Sequence, residues 1–368
     1  MAKTPEIKAN AVIFAGGVGT RMWPVSRKSW PKQFEKIIDG KSTIQLTIDH
    51  LRPEFSYENI FVSTNVKYKD IIRKQLSRIP RENVIGEPER RDVAPAVGYL
   101  MAILEKLGDQ PTVILWSDHI RRNLPTFKNV LRTGVEFINN KPNKFLFVGE
   151  KPRFANQNLG WIETGKFLKK KNNLKIYQFK NLKYRPDLNL AQKFFKSGKC
   201  FWNPGYWVVK PSFVLKQYKR FKPEMYKKLT KLAHSFGKKN HKKELNKIYP
   251  ALEKISFDNA ILEKLEPEKG VVVAADMGWS DVGTWQALKE ALQKNQKDNL
   301  TSGNTYAHNS ENNILYNYTP QLITAIGVKN LVVVATKDVI LIADQESMKQ
   351  IKEVVEAFEK NKEHKKYI

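Results

Sequence analysis

The chain has 368 residues, 41% of them hydrophobic and 11% aromatic, which is enough for a sizeable core in two or more domains. Its 64 Lys and Arg outnumber 37 Asp and Glu, giving a formal charge of +27, and its single cysteine, Cys200, excludes an intrachain disulfide or a cysteine-built zinc site. No run of 18 apolar residues occurs, and the opening M-A-K-T-P-E-I-K-A-N lacks the apolar stretch of a secretory leader, so a cytoplasmic protein with no membrane span is expected.

The first apolar run, residues 11–14, leads into A-G-G-V-G-T-R-M-W-P-V-S-R-K-S-W-P-K-Q-F at 15–34. A strand that delivers such a glycine turn offers bare backbone N–H groups to phosphates, and Arg21 and Lys32 add fixed positive charge beside them. Two other phosphate loops do not fit. Within this stretch no glycine is followed by the Lys-Ser/Thr pair of a P-loop, and Met22 stands where the dinucleotide fingerprint begun by Gly17 and Gly19 needs a third glycine.

Further β-branched runs at 60–63, 113–116, 145–148 and 271–274 predict strands. Between them lie helical patterns, the clearest at 94–107, with Ala94, Val97, Leu100, Met101 and Leu104 on one face. Strands alternating with helices imply an α/β, doubly wound, mainly parallel Rossmann-like sheet whose ligands sit beyond the strand C-termini. Asp118 closes one strand in V-I-L-W-S-D-H-I, and Asp281 lies in D-M-G-W-S-D-V-G-T-W. Each fits a turn cap as well as a metal ligand, and His119 fits packing as well as orienting Asp118. Residues 215–247 hold twelve Lys or Arg against Glu224 and Glu244, with apolar positions at helical spacing. They read as an amphipathic helical insert with a solvated basic face, the alternative being a polyanion-binding surface. After about residue 290 the texture changes: an Asn-rich stretch at 294–313, short apolar runs at 321–327, 331–335 and 339–343, and a closing helix at 345–360 with Met348, Ile351, Val354, Val355 and Phe358 buried. The division expected is a catalytic domain at 1–290 and a small β-rich C-terminal domain at 291–368.

The signature at 15–34 resembles that of the mannose-1-phosphate guanylyltransferases, within the sugar nucleotidyltransferases, and the later motifs follow in that family's order. G-E-P-E-R-R-D-V-A-P-A at 86–96 resembles the segment bordering the nucleobase, with Asp92-Val93 replacing Asn-Thr. N-L-G-W-I-E-T-G (158–165), F-W-N-P-G-Y-W-V (201–208) and S-F-D-N-A-I-L-E-K (256–264) resemble sugar-binding segments. K-Y-R-P-D at 183–187 departs from the family's Glu-Lys pair, with Tyr184 in place of the carboxylate and Arg185 in place of the lysine.

The resemblance implies synthesis of GDP-mannose and pyrophosphate from GTP and mannose 1-phosphate. Arg21, Lys32, Asp118 and Asp281 would be catalytic, and the two aspartates would hold Mg²⁺. Gly16, Gly17, Gly19, Thr20, Arg21, Glu87, Arg91 and Pro95 would bind the nucleotide, with Pro88 and Pro95 stiffening the base turn. Gly160, Glu163, Arg185, Asn203 and Asp258 would bind the sugar phosphate, with Lys264 near them and Trp161, Trp202 and Trp207 half core and half pocket wall. The family adds a short left-handed β-helix-like fold for the C-terminal region. Another nucleotide or hexose, or a non-catalytic polyanion-binding role, stays open as an alternative; a homodimer is the one assembly entertained, and no nucleic-acid partner is expected. Longer relatives carry a cupin domain that isomerises mannose 6-phosphate; the sequence stops at Ile368, and no isomerase activity is expected.

Overall fold

The computed structural model describes residues 6–17 and 19–368. Residues 1–5 of the segment searched for a leader, and Val18 of the glycine signature, lie outside the described residues. The chain forms two compact units. The first comprises Met1–Gly16, Ile48–Ser117 and Asn123–Trp279, and the second Gly17–Thr47, Asp118–Arg122 and Ser280–Ile368.

The first unit is built on a ten-stranded sheet. From edge to edge its strands are Cys200–Asn203, Gly160–Lys171, Leu174–Tyr184, Gly270–Ala275, Phe145–Glu150, Trp207–Val209, Thr112–Trp116, Asn10–Phe14, Ile60–Asn65 and Val84–Glu87. The last four run parallel to one another, as do Gly270–Ala275 and Phe145–Glu150. Trp207–Val209 lies antiparallel between the two blocks, so both blocks point the same way and the sheet is mainly parallel. All five predicted runs are strands. They read as continuous apolar stretches because helices cover both faces and leave no position for alternation. The antiparallel hairpin Gly160–Lys171 and Leu174–Tyr184 has no such run. One of its faces meets solvent, so Leu174, Ile176, Phe179 and Leu182 alternate with lysines and polar residues.

Helix Val93–Lys106 starts where the Asp92 carboxylate accepts the Val93 N–H at 2.8 Å. It is buried on every side from Ala94 to Leu104, wider than the one-faced stripe expected. The reason is the basic segment. It forms three amphipathic helices, Pro211–Phe221, Pro223–Ser235 and His241–Ile248, the first two separated at Pro223. Their Phe213, Val214, Tyr218, Leu229 and Leu232 join the same core as Val93–Lys106, while most of the lysines face water. Gly98 makes this packing possible: a Cβ there would lie 2.4 Å from Leu229 Cδ1 and 2.9 Å from Tyr218 Cζ.

In the second unit, the strands Leu300–Ser302, Ile314–Asn317 and Leu331–Ala335 stack in parallel, and Thr305–His308 pairs in parallel with Ile323–Ile326. This is the rung pattern of a short β-helix, closed by Ile340–Asp344 antiparallel to Leu331–Ala335. Successive rungs are unequal, Leu300 aligning with Ile314 but Ile314 with Val332, and so no short repeat is visible in the sequence. The asparagines bridge rungs. Fully buried Asn313 donates to Asn299 Oδ1 at 2.9 Å and to the Val328 carbonyl at 3.0 Å, and accepts the Leu331 N–H at 2.9 Å. The closing segment is a 3₁₀ turn, Glu346–Gln350, and a helix, Ile351–Lys360. Its buried face carries Ile351, Val355 and half-buried Phe358, whereas Val354, expected inside, is 37% exposed at the border of that face.

Candidate active site

The second unit collects the charged residues of the signature. Gln33 Nε2 donates to the Gly17 carbonyl at 2.9 Å, which ties the glycine turn to the segment that carries Lys32. At Gly19 a Cβ would lie 3.1 Å from Lys32 Cδ, so the missing side chain lets the lysine stem pass. At Gly16 and Gly17 a Cβ would meet no described atom within 4 Å, so these glycines are not demanded by packing. Trp23 anchors the segment, accepting the Trp285 indole N–H at its carbonyl (3.2 Å) and donating its own indole N–H to the Tyr367 carbonyl (2.8 Å). Arg27 makes a two-bond fork to Asp338, at 2.7 and 2.6 Å.

Lys32, only 6% exposed, ends at this cluster. Its ammonium lies 2.8 Å from Asp118 Oδ2 and 3.8 Å from Asp281 Oδ1, and donates to the Val282 carbonyl at 2.8 Å. Asp118 immediately precedes the short strand His119–Arg121, which pairs with the strand ending in Asp281, and this ribbon brings together two aspartates far apart in sequence. A Cβ at Gly283 would sit 2.9 Å from Arg21 Nη2 and 3.4 Å from Asp281 Oδ1, so the guanidinium borders the same group. Burial would push the Asp118 carboxyl up, but the Lys32 ammonium, with help from its hydrogen bond, outweighs that and holds it well below the usual carboxylate range. His119 is pushed down to about 4 by burial, against the pull of Asp118 and Asp281, and is neutral at pH 7. Its Nε2 is 4.0 Å from Asp118 Oδ1, beyond hydrogen-bond distance.

The first unit holds the other expected residues. Gly160 and Asn203 are register partners on adjacent strands, and a Cβ at Gly160 would crowd Asn203 Cβ at 3.2 Å. Asn203 Nδ2 donates to Asp258 Oδ1 at 3.2 Å, while its Oδ1 accepts from Gly205 N at 3.1 Å and Trp207 Nε1 at 3.3 Å, fixing the amide's orientation. Burial pushes the Asp258 carboxyl up to about 6, with Glu263 adding to the rise and Asn203 and Arg185 opposing it. Arg185, at φ 49°, sits over the Tyr184 ring at 5.0 Å. Glu163 is set apart from this group. It lies an odd number of positions beyond Gly160 on its strand, which turns it to the opposite face, and it pairs with Lys180 at 2.6 Å. Trp161, Trp202 and Trp207 are each 1% exposed and belong to the core rather than to a pocket wall.

At the base turn, Asp92 caps the helix, Pro95 sits in its first turn and Arg91 lies 3.5 Å from Glu89. Both Glu87 oxygens are committed, accepting Ser63 Oγ and the Tyr249 hydroxyl at 2.6 Å each, and burial raises its carboxyl despite those bonds. Tyr249, Gln33 and Glu263, which accepts the Tyr184 N–H at 3.0 Å, were not singled out from sequence. Gln33 and Glu263 lie inside motifs quoted above, but the sequence does not show which atoms they bind, and Tyr249 lies in no motif and meets a partner 162 residues away.

Residues 10–298 match the nucleotidyl transferase family, and residues 303–358 match the β-helix domain of the mannose-phosphate isomerase and GMP type. A mannose-1-phosphate guanylyltransferase of Klebsiella pneumoniae is 31% identical over 95% of this chain and 74% of its own length. The chain belongs to the mannose-1-phosphate guanylyltransferase family of nucleotidyl transferases. A guanylyltransferase of this family from Salmonella typhimurium is likewise 31% identical, over 95% of this chain and 72% of its own. Among solved structures, one described as the mannose-1-phosphate geranyltransferase of Thermus thermophilus matches with a TM-score of 0.84 at 25% identity, covering 96% of this guanylyltransferase-family chain and 99% of the other.

Proposed function

We propose that the protein makes GDP-mannose and pyrophosphate from GTP and mannose 1-phosphate. The observation that carries this is the convergence of Arg21, Lys32, Asp118 and Asp281, four residues that phosphate-transfer chemistry would use, in a member of this family. A phosphate oxygen of mannose 1-phosphate attacks the α-phosphorus of GTP in line, and the bond to the bridging oxygen of pyrophosphate breaks. The nucleophile is already ionised at neutral pH, so no side-chain base has to be supplied. The amides of Gly16, Gly17, Gly19 and Thr20 and the guanidinium of Arg21 bind the departing phosphates. Lys32 neutralises charge at the α-phosphate. The turn through Glu87, Arg91 and Pro95 borders the base, with Glu87 acting through the hold it has on that turn.

The donor set fits a magnesium ion. Two carboxylates reach the same ammonium, no third His, Cys, Asp or Glu joins them into a metal-binding group among the described residues, and Mg²⁺ in nucleotide sites takes one or two carboxylates with phosphate oxygens and water. Held by Asp118 and Asp281, it would supply neutralisation of phosphate charge. For the hexose, Gly160 gives close backbone approach, Asn203 and Asp258 take hydroxyls, and Arg185 takes the sugar phosphate. Glu163 is left out of this set because Lys180 holds it on the other face of its strand. On this reading the catalytic domain is 1–290, and 291–368 is the small β-rich domain.

The test is pyrophosphate release by the purified chain over a matrix of nucleoside triphosphates and hexose 1-phosphates. The greatest turnover is expected with GTP and mannose 1-phosphate. Greatest turnover with another pair would favour a second reading, the same reaction on a different hexose, for which the Tyr184-Arg185 stack is the supporting feature. No release with any pair would overturn both.

A further inference from the structure

Glu150 ends the strand Phe145–Glu150 and is fully buried. A carboxylate in such a place is costly unless every lone pair has work, and here the partners are backbone amides rather than a cation. One oxygen accepts the Met277 N–H at 2.9 Å and the other accepts the Trp279 N–H at 3.0 Å. Arg153 completes the clamp. It donates to the Trp279 carbonyl at 2.9 Å, stands over the Trp202 ring at 5.0 Å and approaches Glu150 no nearer than 3.9 Å. Between the two clasped amides lies Gly278 at φ 60°, which gives the turn its bend, and the Met277 carbonyl accepts the Asn123 N–H at 2.9 Å. The segment is therefore gripped at successive backbone groups just where the strand Trp279–Asp281 begins.

The position of this grip matters. The chain leaves the first unit at Trp279, and Asp281 follows two residues later. We infer that Glu150 is a positioning residue for the reaction, setting through the backbone of Met277 and Trp279 the approach of the chain to Asp281. The inference rests on Asp281 belonging to the reacting site. A covering role alone would be met by any apolar side chain of similar volume, without the cost of a buried charge. Burial pushes the Glu150 carboxyl up to about 7, Asp276 adds to the rise, and the two amides and Arg153 oppose it, with Lys151 paired to Asp276 at 3.6 Å. A protonated Glu150 would turn a hydroxyl toward one amide and release that half of the grip.

The experiment compares the wild-type chain with Glu150→Gln and Glu150→Ala. It measures kcat and KM for both substrates, direct Mn²⁺ binding by paramagnetic resonance, and amide exchange of a peptide covering residues 276–282. Loss of an outer partner of a metal-binding group typically costs about 10- to 100-fold. Glu150→Ala is expected to lower kcat by roughly that factor, with KM for mannose 1-phosphate nearly unchanged, weaker Mn²⁺ binding and faster exchange at 276–282. Glu150→Gln, isosteric and still able to accept one amide, should fold as the wild type does, recover part of kcat and lose the rise of kcat as pH passes through about 7. A folded Gln or Ala variant with wild-type kcat and Mn²⁺ binding, whatever its exchange rate, would overturn the inference. If the wild-type chain released no pyrophosphate, the functional reading would fall, while unchanged Mn²⁺ binding in both variants would separately sink the role of Glu150.

Discussion

Asp118 and Asp258 are aspartates of the same ordinary carboxyl strength in two different settings. Lys32 holds Asp118 well below the usual range, whereas Asp258, whose nearest partner is the neutral Asn203 amide, rises to about 6. Asp118 belongs to a group with two cations and two anions at its centre, whereas Asp258, on the short helix Phe257–Ala260, is bonded to the amide of Asn203 at the end of a strand. The first arrangement suits a ligand that carries several negative charges, and the second suits hydroxyls, which need an acceptor at fixed geometry more than a field. The difference also separates their stability effects. Asp118, with its folded value depressed, stabilises the fold above its ordinary value of 3.8, and that contribution is lost as pH falls below it. Asp258, with its folded value raised, contributes fully below 3.8 and loses that contribution as pH climbs toward 6.

The sharpest way to break this comparison is Lys32→Met, which keeps the stem beside Gly19 and removes the charge. Turnover should fall by about 10²- to 10³-fold, the scale of losing one preorganised electrostatic group, with an unchanged circular dichroism spectrum. A variant turning over near the wild-type rate would remove Lys32 from the chemistry. Next in size is Asp281→Asn: a drop of about 10- to 100-fold at low magnesium, partly recovered as magnesium is raised, read from an activity titration. A smaller effect is expected at the polar cluster. Asp258→Asn should raise KM for mannose 1-phosphate about three- to tenfold, the worth of one hydrogen bond, with kcat little changed. Because the ionised carboxylate is the acceptor, wild-type KM should rise as pH falls through about 6, and Asp258→Asn should be flat there. A kcat effect as large as that of Lys32→Met would erase the distinction between the two clusters. The smallest change is expected from Tyr184→Glu, a shift of about two- to fivefold in the preference among hexose 1-phosphates, measured as a ratio of kcat/KM values.

Much of this was legible in sequence for identifiable reasons. The parallel strands are buried on both faces and so announce themselves as apolar runs, and the Arg21–Lys32 signature is a single continuous stretch. The hairpin Gly160–Lys171 and Leu174–Tyr184 was missed because solvent on one face and several register shifts blur its alternation. The basic segment reads as helical from its apolar spacing, but its partner does not show in sequence, and it is Gly98 that Leu229 and Tyr218 are wedged against. Glu150 gave no signal at all. Its partners are backbone amides more than a hundred residues away, and a lone Glu at the end of a strand usually faces water. The pairing of Asn203 with Asp258 was likewise hidden, although the motif that holds each residue was visible.

The seat of Trp23 carries a last consequence. Its ring packs with Ile351, Val355 and Phe358, and its indole N–H is received by the Tyr367 carbonyl. The stretch bearing Lys32 is thus moored to a segment more than 300 residues further along the chain. A stop codon that deleted the chain from Ile351 onward would spare every group expected to meet substrate, yet leave that stretch adrift and the protein as inactive as if its lysine had been cut away.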